Sequence, residues 1–236
     1  MKRTEVPKWK QFLVTFIMFA FLGVCFKVMV LVKGFTEVRP ANGVPVPAGL
    51  CCGWIGGVAC AFGNLFSDFF GTLAPSSSVG FIGNFAAAYM PYKLWYVFTD
   101  EEPNVHSIKN MWIYLLISFT AALAVAWMIG SGLWLLFGTP VENISLYIFM
   151  NDFVFSVVLG LPVFIVLTSD EFRIVCAKKP KDVIKLSAGK RRIMTAVYTL
   201  ILAILFVMTQ LGYESLKPAA YALSAPALIM SVILML

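Results

Sequence analysis

Residues 43–74 read GVPVPAGLCCGWIGGVACAFGNLFSDFFGTLA, a 32-residue run whose only charge is Asp68. As one helix it would be about 48 Å long, against a bilayer hydrocarbon core of about 30 Å. The cluster Gly53-Trp54-Ile55-Gly56-Gly57 offers a place for the chain to turn back. Whether this run is one helix or two sets the side of the membrane on which every later loop falls, and loop charge decides it. With one helix, the basic loop at 169–192 (Arg173, Lys178, Lys179, Lys181, Lys185, Lys190, Arg191, Arg192) lies opposite the N-terminal Lys2, Arg3, Lys8 and Lys10. With two short helices, both basic clusters share one side, as the positive-inside rule requires. The sequence therefore predicts a broken helix pair over 44–73. Thirty residues shared by two helices give about 22 Å each, so the pair must be flanked by protein or line a cavity.

Around that pair the chain is apolar throughout. Its 236 residues are 60% hydrophobic and 13% charged, with a mean hydropathy of +0.87, which excludes a soluble globular domain. Seven apolar stretches, near 11–33, 43–74, 77–98, 110–137, 144–168, 192–212 and 216–236, are each long enough for a crossing. With the second one split, the expectation is an all-α, polytopic cell-membrane protein of eight helical elements with both termini cytoplasmic. Gln11 to Val32 is read as a retained first helix, because no small-residue cleavage site precedes Lys33. This layout places 14 basic residues on the cytoplasmic side, Lys93 and Lys109 among them, and Lys33, Arg39 and Lys217 outside. A basic linker at 176–191 divides a six-element body, 1–175, from a C-terminal transmembrane hairpin, 192–236.

The excess of 18 Lys+Arg over 12 Asp+Glu is explained by topology and implies no nucleic-acid partner. The linker either sets topology or also binds anionic membrane lipid. Five cysteines lack the spacings of a zinc site or disulfide framework and are read as reduced packing residues. His106 is the only histidine. There is no GxxxxGK[ST], HExxH or GxSxG, so neither a bound cofactor, a metal nor a set of catalytic residues is expected, and the chain is not its own ATPase.

A charge or amide at membrane depth is a functional-site candidate because it is expensive to bury. Asn64 and Asp68 lie one turn apart on the third helix, Asn84 early in the fourth, and Asn151 with Asp152 early in the sixth. All fall in the outer half, beneath outward loops carrying Glu37, Arg39, Asn42, Glu142 and Asn143. The expectation is a cup open to the outside with Glu37, Arg39, Asn64, Asp68, Asn84, Asn151 and Asp152 as substrate-binding residues. The competing reading has the asparagines joining helices and Lys27 snorkelling outward.

The stretch Glu37-Val38-Arg39-Pro40, Pro45 and Pro47 to Gly49, Gly53-Trp54-Ile55-Gly56-Gly57 and Gly63-Asn64-Leu65-Phe66-Ser67-Asp68 resembles the substrate-binding S components of energy-coupling factor (ECF) transporters. So does Gly80-Phe81-Ile82-Gly83-Asn84-Phe85 leading into Pro91-Tyr92-Lys93-Leu94-Trp95. The resemblance covers roughly 11–170. It implies a six-helix body that captures a vitamin-like or other micronutrient molecule beneath the loops after helices one, three and five. It also implies partners: a transmembrane coupling subunit and two cytoplasmic ATPases. The family's AxxxA docking pattern in the first helix is represented here only by Ala20-x-x-x-Val24 with Gly23 alongside. Two other classes fit the composition. One is a membrane-embedded enzyme acting on lipid-linked substrates, with Asp68 and Asp152 as paired carboxylates; the other is a self-contained small-solute permease.

Overall fold

The computed structural model describes residues 5–32, 36–71, 73–138, 141–172, 174–211 and 217–236. Helix α1 (Lys8–Cys25) is followed by a two-stranded ribbon, β1 (Val30–Val32) and β2 (Thr36–Glu37), and a 3-10 turn, Pro40–Gly43. Then come α2 (Pro45–Cys52), α3 (Trp54–Asp68), α4 (Ser77–Phe98) and α5 (Ile108–Phe137). α6 (Val141–Phe155) continues through a π turn, Ser156–Gly160, into α7 (Leu161–Thr168), and α8 (Ala188–Leu211) and α9 (Lys217–Met235) complete the chain. The protein is helical, with four helices among the described residues long and apolar enough to cross a membrane: α1, α5, the α6–α7 rod and α8. Apart from this five-residue ribbon the described elements are helical, in keeping with the all-α expectation. The apolar run at 11–33 was read as one helix, but α1 stops at Cys25, and β-branched Val30 and Val32 pair with Glu37 and Thr36.

The broken pair is present and uneven. Gly53, at φ +61° and ψ −136°, separates α2 from α3, a conformation that strains any residue with a Cβ. Helix direction confirms the reversal: Phe19 packs on Gly63 and Ser67 on Gly23, so α1 and α3 run the same way. α4 returns against α3, with Phe85 on Gly57 and Asn64 beside Gly80. The eight residues of α2 span only about 12 Å, not the 22 Å of an even split. α2 is that short because the chain reaches it deep in the bundle. Residues Pro40–Gly43 are all buried, and Gly43 lies against Phe155, Leu159 and Gly160 at the midpoint of the α6–α7 rod. Segment 38–44 is therefore re-entrant in the sense that it dips into the helical bundle, and α2 covers only the remaining length to Gly53. Residues Pro45 to Cys51 of α2 are all buried, so protein sheathes its backbone. The π turn comes just before Pro162, whose ring cannot continue regular helical bonding to the preceding turn.

One apolar cluster joins Leu50, Leu94, Trp95, Tyr114 and Phe164 to Tyr198, Leu202, Leu205 and Leu234, so the α8–α9 hairpin shares the core of the rest. Thr120 and Thr199 bridge α5 to α8 at 3.0 Å, and Tyr198 meets Ser231 of α9 at 2.5 Å. The outer faces carry exposed Leu13, Ile17 and Phe21 of α1 and Phe62 and Phe66 of α3, a surface compatible with lipid contact.

The basic linker packs down onto the helices. Lys93, counted from sequence among the water-facing charges, is 2% exposed; its Nζ is 3.0 Å from Asp182 Oδ1 and donates to the main-chain oxygen of Leu236. Its place near the helix end, which suggested a loop charge, is covered by the folded-back linker. Arg191 also meets Asp182, at 3.3 Å. Arg192 donates to the Val97 and Phe98 carbonyls at the C-terminus of α4, where a cation complements the helix dipole. Arg173 lies outside the described residues, as do Lys33 and the side chain of Lys217.

Candidate functional site

The site is built on α3, whose last two turns present Asn64 and Asp68 on one face, both buried. Asn64 Nδ2 donates to Asp68 Oδ2 at 3.3 Å, the i to i+4 reach of a helix. Into this pair the re-entrant segment delivers Arg39. Its Nη2 donates to Asn64 Oδ1 at 2.8 Å and lies 3.7 Å from Asp68 Oδ1. From the end of α1, Lys27 Nζ approaches the same oxygen at 3.4 Å. In the competing reading Lys27 snorkels outward; here its Nζ is turned to Asp68, and its side chain is 10% exposed. Two cations thus face one largely dehydrated carboxylate, and the amide of Asn64 bridges Arg39 to that carboxylate.

The second half of the site comes from α6. Asn151, about 15 Å into the α6–α7 rod, accepts from the main-chain N–H of Arg39 at 3.0 Å. Its neighbour Asp152 accepts from the side-chain amide of Asn42. Arg39 therefore straps α6 to α3, through its main-chain N–H on one side and its guanidinium on the other, and Asn42 adds a second tie to α6, both to partners more than a hundred residues away in sequence.

Of the seven residues expected to bind substrate, Arg39, Asn64, Asp68 and Asn151 meet in one connected set, and Asp152 joins through Asn42. Asn84 is buried, and its Nδ2 donates to Gly80 of its own helix at 2.9 Å. α4 instead touches the set through Gly80, which faces Asn64. Glu37 lies on β2, but its side chain is outside the described residues, as are those of Glu142 and Asn143. The expected open cup is occupied at its centre by the chain's own Arg39.

Two participants were not chosen from sequence. Asn42 was placed on an outer rim, yet it is only 8% exposed. Ser118, in the middle of α5, is 1% exposed and faces the same region, where it lines a small cavity with Asn42 and Asp152. A lone serine in an apolar helix gives little signal, because its hydroxyl commonly bonds back to its own helix.

Chemically, the set offers two carboxylates, two cations and three amides at one level. Such a site can exchange its internal partners for those of a polar guest. Among the described residues no group of three or more His, Cys, Asp or Glu is placed to hold a metal ion. Compared with protein-family models, curated proteins and solved structures, the chain finds no match in any of the three.

Proposed function

We propose that this chain is the substrate-capture subunit of an ATP-driven, ECF-type importer, binding a small vitamin-like or other micronutrient solute in an outward-facing membrane pocket. The observation that carries this reading is the meeting of Arg39, Asn64, Asp68 and Asn151 around a re-entrant segment. A buried ion set held by a loop, not by a rigid helix, can open to admit a solute whose polar groups replace Arg39 and Lys27. The resemblance of residues 11–170 to S components supports the same reading, and so does the lack of a P-loop, which assigns ATP hydrolysis to partners.

In this reading the ribbon, the end of α3 and Gly138 face outward, while both termini, Gly53 and the basic linker face the cytoplasm. The six-helix S-component arrangement corresponds to the chain up to about 175, with α8–α9 an addition. A transmembrane coupling subunit and two ATPases are the partners, and the chain itself is not an enzyme.

Purification from the native membrane tests this directly. The expected result is co-isolation with a coupling subunit and two ATPases, together with saturable binding of a small solute by the isolated chain. Isolation without those subunits and without solute binding would remove the reading. Solute turnover in lipid vesicles by the chain alone would replace it with the permease.

A further inference from the structure

A cavity of about 10 Å³ lies between the re-entrant segment, α2, α4, α5 and α6, large enough for the centre of one water. Alanines 87, 121 and 122 form much of its wall, and Asn42, Ser118 and Asp152 supply its polar atoms. Among the described residues, Asn42 Oδ1, Ser118 Oγ and Asp152 Oδ2 all lack a hydrogen-bond partner, although all three atoms are buried. The orientation of the Asn42 amide is fixed, because its Nδ2 donates to the other oxygen of Asp152. Among the described residues Asp152 has no cation within 4 Å, the Arg39 charge reaching it only from farther off, whereas Asp68 has two.

With Asp152 ionised, two of these three atoms can only accept, and the third is a hydroxyl that can do either. Leaving two acceptors facing an empty space deep in a membrane protein is costly. A guest that turns positive charge toward both removes the cost. A water molecule does so by donating to Asp152 Oδ2 and Asn42 Oδ1 while accepting from Ser118. A sodium ion does so as a hard cation among carboxylate, amide and hydroxyl oxygens. We propose that this cavity is a single-occupancy site for one water-sized electropositive guest, water or Na⁺, that clasps the re-entrant segment to α5 and α6. The site stands whatever solute the chain carries, or if it carries none.

The sign of one substitution tests it. If the cavity is empty, Ser118→Ala deletes an unsatisfied buried hydroxyl and leaves the melting temperature unchanged or raises it. If a guest is present, the same change removes one of its three partners and lowers the melting temperature by about 2–4 °C. Wild type, Ser118→Ala and Asp152→Asn would be melted in detergent in equal concentrations of sodium, potassium and choline chloride. Stabilisation by Na⁺ alone, growing with its concentration and lost in both variants, identifies the ion. Equal melting in all three salts, with Ser118→Ala lowered, identifies water. Failure of Ser118→Ala to fold counts the same way, since its hydroxyl has no protein partner to lose among the described residues. An unchanged or raised melting temperature for Ser118→Ala in every salt, with no response of wild type to Na⁺, overturns the proposal.

Discussion

The guanidinium of Arg39 donates to the side-chain oxygen of Asn64 at 2.8 Å, spanning the whole of α2 to reach the C-terminal half of α3. The re-entrant segment is thereby tied to the hairpin it introduces. Both contacts are made by one nitrogen, Nη2, at the far end of the arginine side chain, a position the shorter lysine does not reach, so lysine is not an equivalent replacement. Arg39→Lys is expected to destabilise the protein nearly as much as Arg39→Met, and thermal melting in detergent would compare them. A melting temperature for Arg39→Lys equal to wild type would show that a point charge suffices.

Asp68 is the counter-ion to both Lys27 and Arg39. Removing one member of a buried charge set costs about 3–5 kcal/mol, chiefly through the charges left behind. Asp68→Asn is therefore expected to lower stability by that order and to weaken solute binding more than tenfold, about 1.4 kcal/mol. The two effects are separable in a triple variant, Lys27→Met with Arg39→Met and Asp68→Leu, in which none of these three charges is left facing the gap of another. Stability should recover and solute binding should not. Recovery of both would take these side chains out of the binding site and leave them a purely architectural role.

Gly49 sets how closely α2 approaches α4. A Cβ there would fall well inside van der Waals contact with the main-chain carbonyl of Ala88, which cannot rotate away. Gly49→Ala should cost about 1–3 kcal/mol, toward the upper end of the range for overpacking. Gly189, in the first turn of α8, has nothing within 4 Å of its Cβ position, so Gly189→Ala should change stability by less than about 0.5 kcal/mol. Equal effects of the two would contradict the α2–α4 contact.

The reversal at Gly53 was legible because three local signals agree: excess length, a glycine cluster, and basic loops that need a common side. The depth of segment 38–44 was not. Its polar Arg39 and Asn42 look like loop residues in any hydropathy window, and what buries them is α6, about 110 residues away. The burial of Lys93 was hidden for the same reason, since the linker that covers it comes some 90 residues later. The end of α1 was misplaced because Val30 and Val32 are apolar in either state, and composition does not separate a short strand from the last turn of a helix. Asn64 and Asp68 were the easiest site residues to find, being an amide and a carboxylate one turn apart in an otherwise uncharged run.

Two carboxylates beside the basic linker should behave oppositely. Asp182 holds Lys93 and Arg191, whose side chains are only 1% and 5% exposed. Asp182→Asn strands two buried cations near each other and should lower the melting temperature markedly. Asp100 pairs with Lys179 at the surface, where the ammonium holds its carboxyl below the usual range. A lowered folded-state value means that any stabilisation is present at neutral pH and fades as the pH falls through that value. The pair is exposed and screened by salt, so Asp100→Asn should leave thermal melting near wild type. A loss with Asp100→Asn as large as with Asp182→Asn would mean that the linker is held from its surface.

The docking of the linker also has a chemical signature. Cys176 Sγ lies 3.6 Å from Cys51 Sγ at the end of α2, and both residues are buried. The contact is fixed on each side: Ala177 N–H donates to the Leu50 carbonyl at 3.1 Å, and Tyr96 Oη donates to the Ala177 carbonyl at 2.6 Å. Two thiols held this closely should join on treatment with diamide, each losing a proton and together passing two electrons to the reagent. Peptide mapping should find Cys51 linked to Cys176, with the link absent in Cys51→Ser. Before oxidation, a maleimide should label the exposed Cys25 first, and the buried Cys51, Cys60 and Cys176 far more slowly, as local opening admits the reagent. Rapid labelling of Cys176 in the folded protein, or its linkage to Cys25, would show that residues 174–178 do not rest on the Gly53 turn, and the covered position of Lys93 would fall with it.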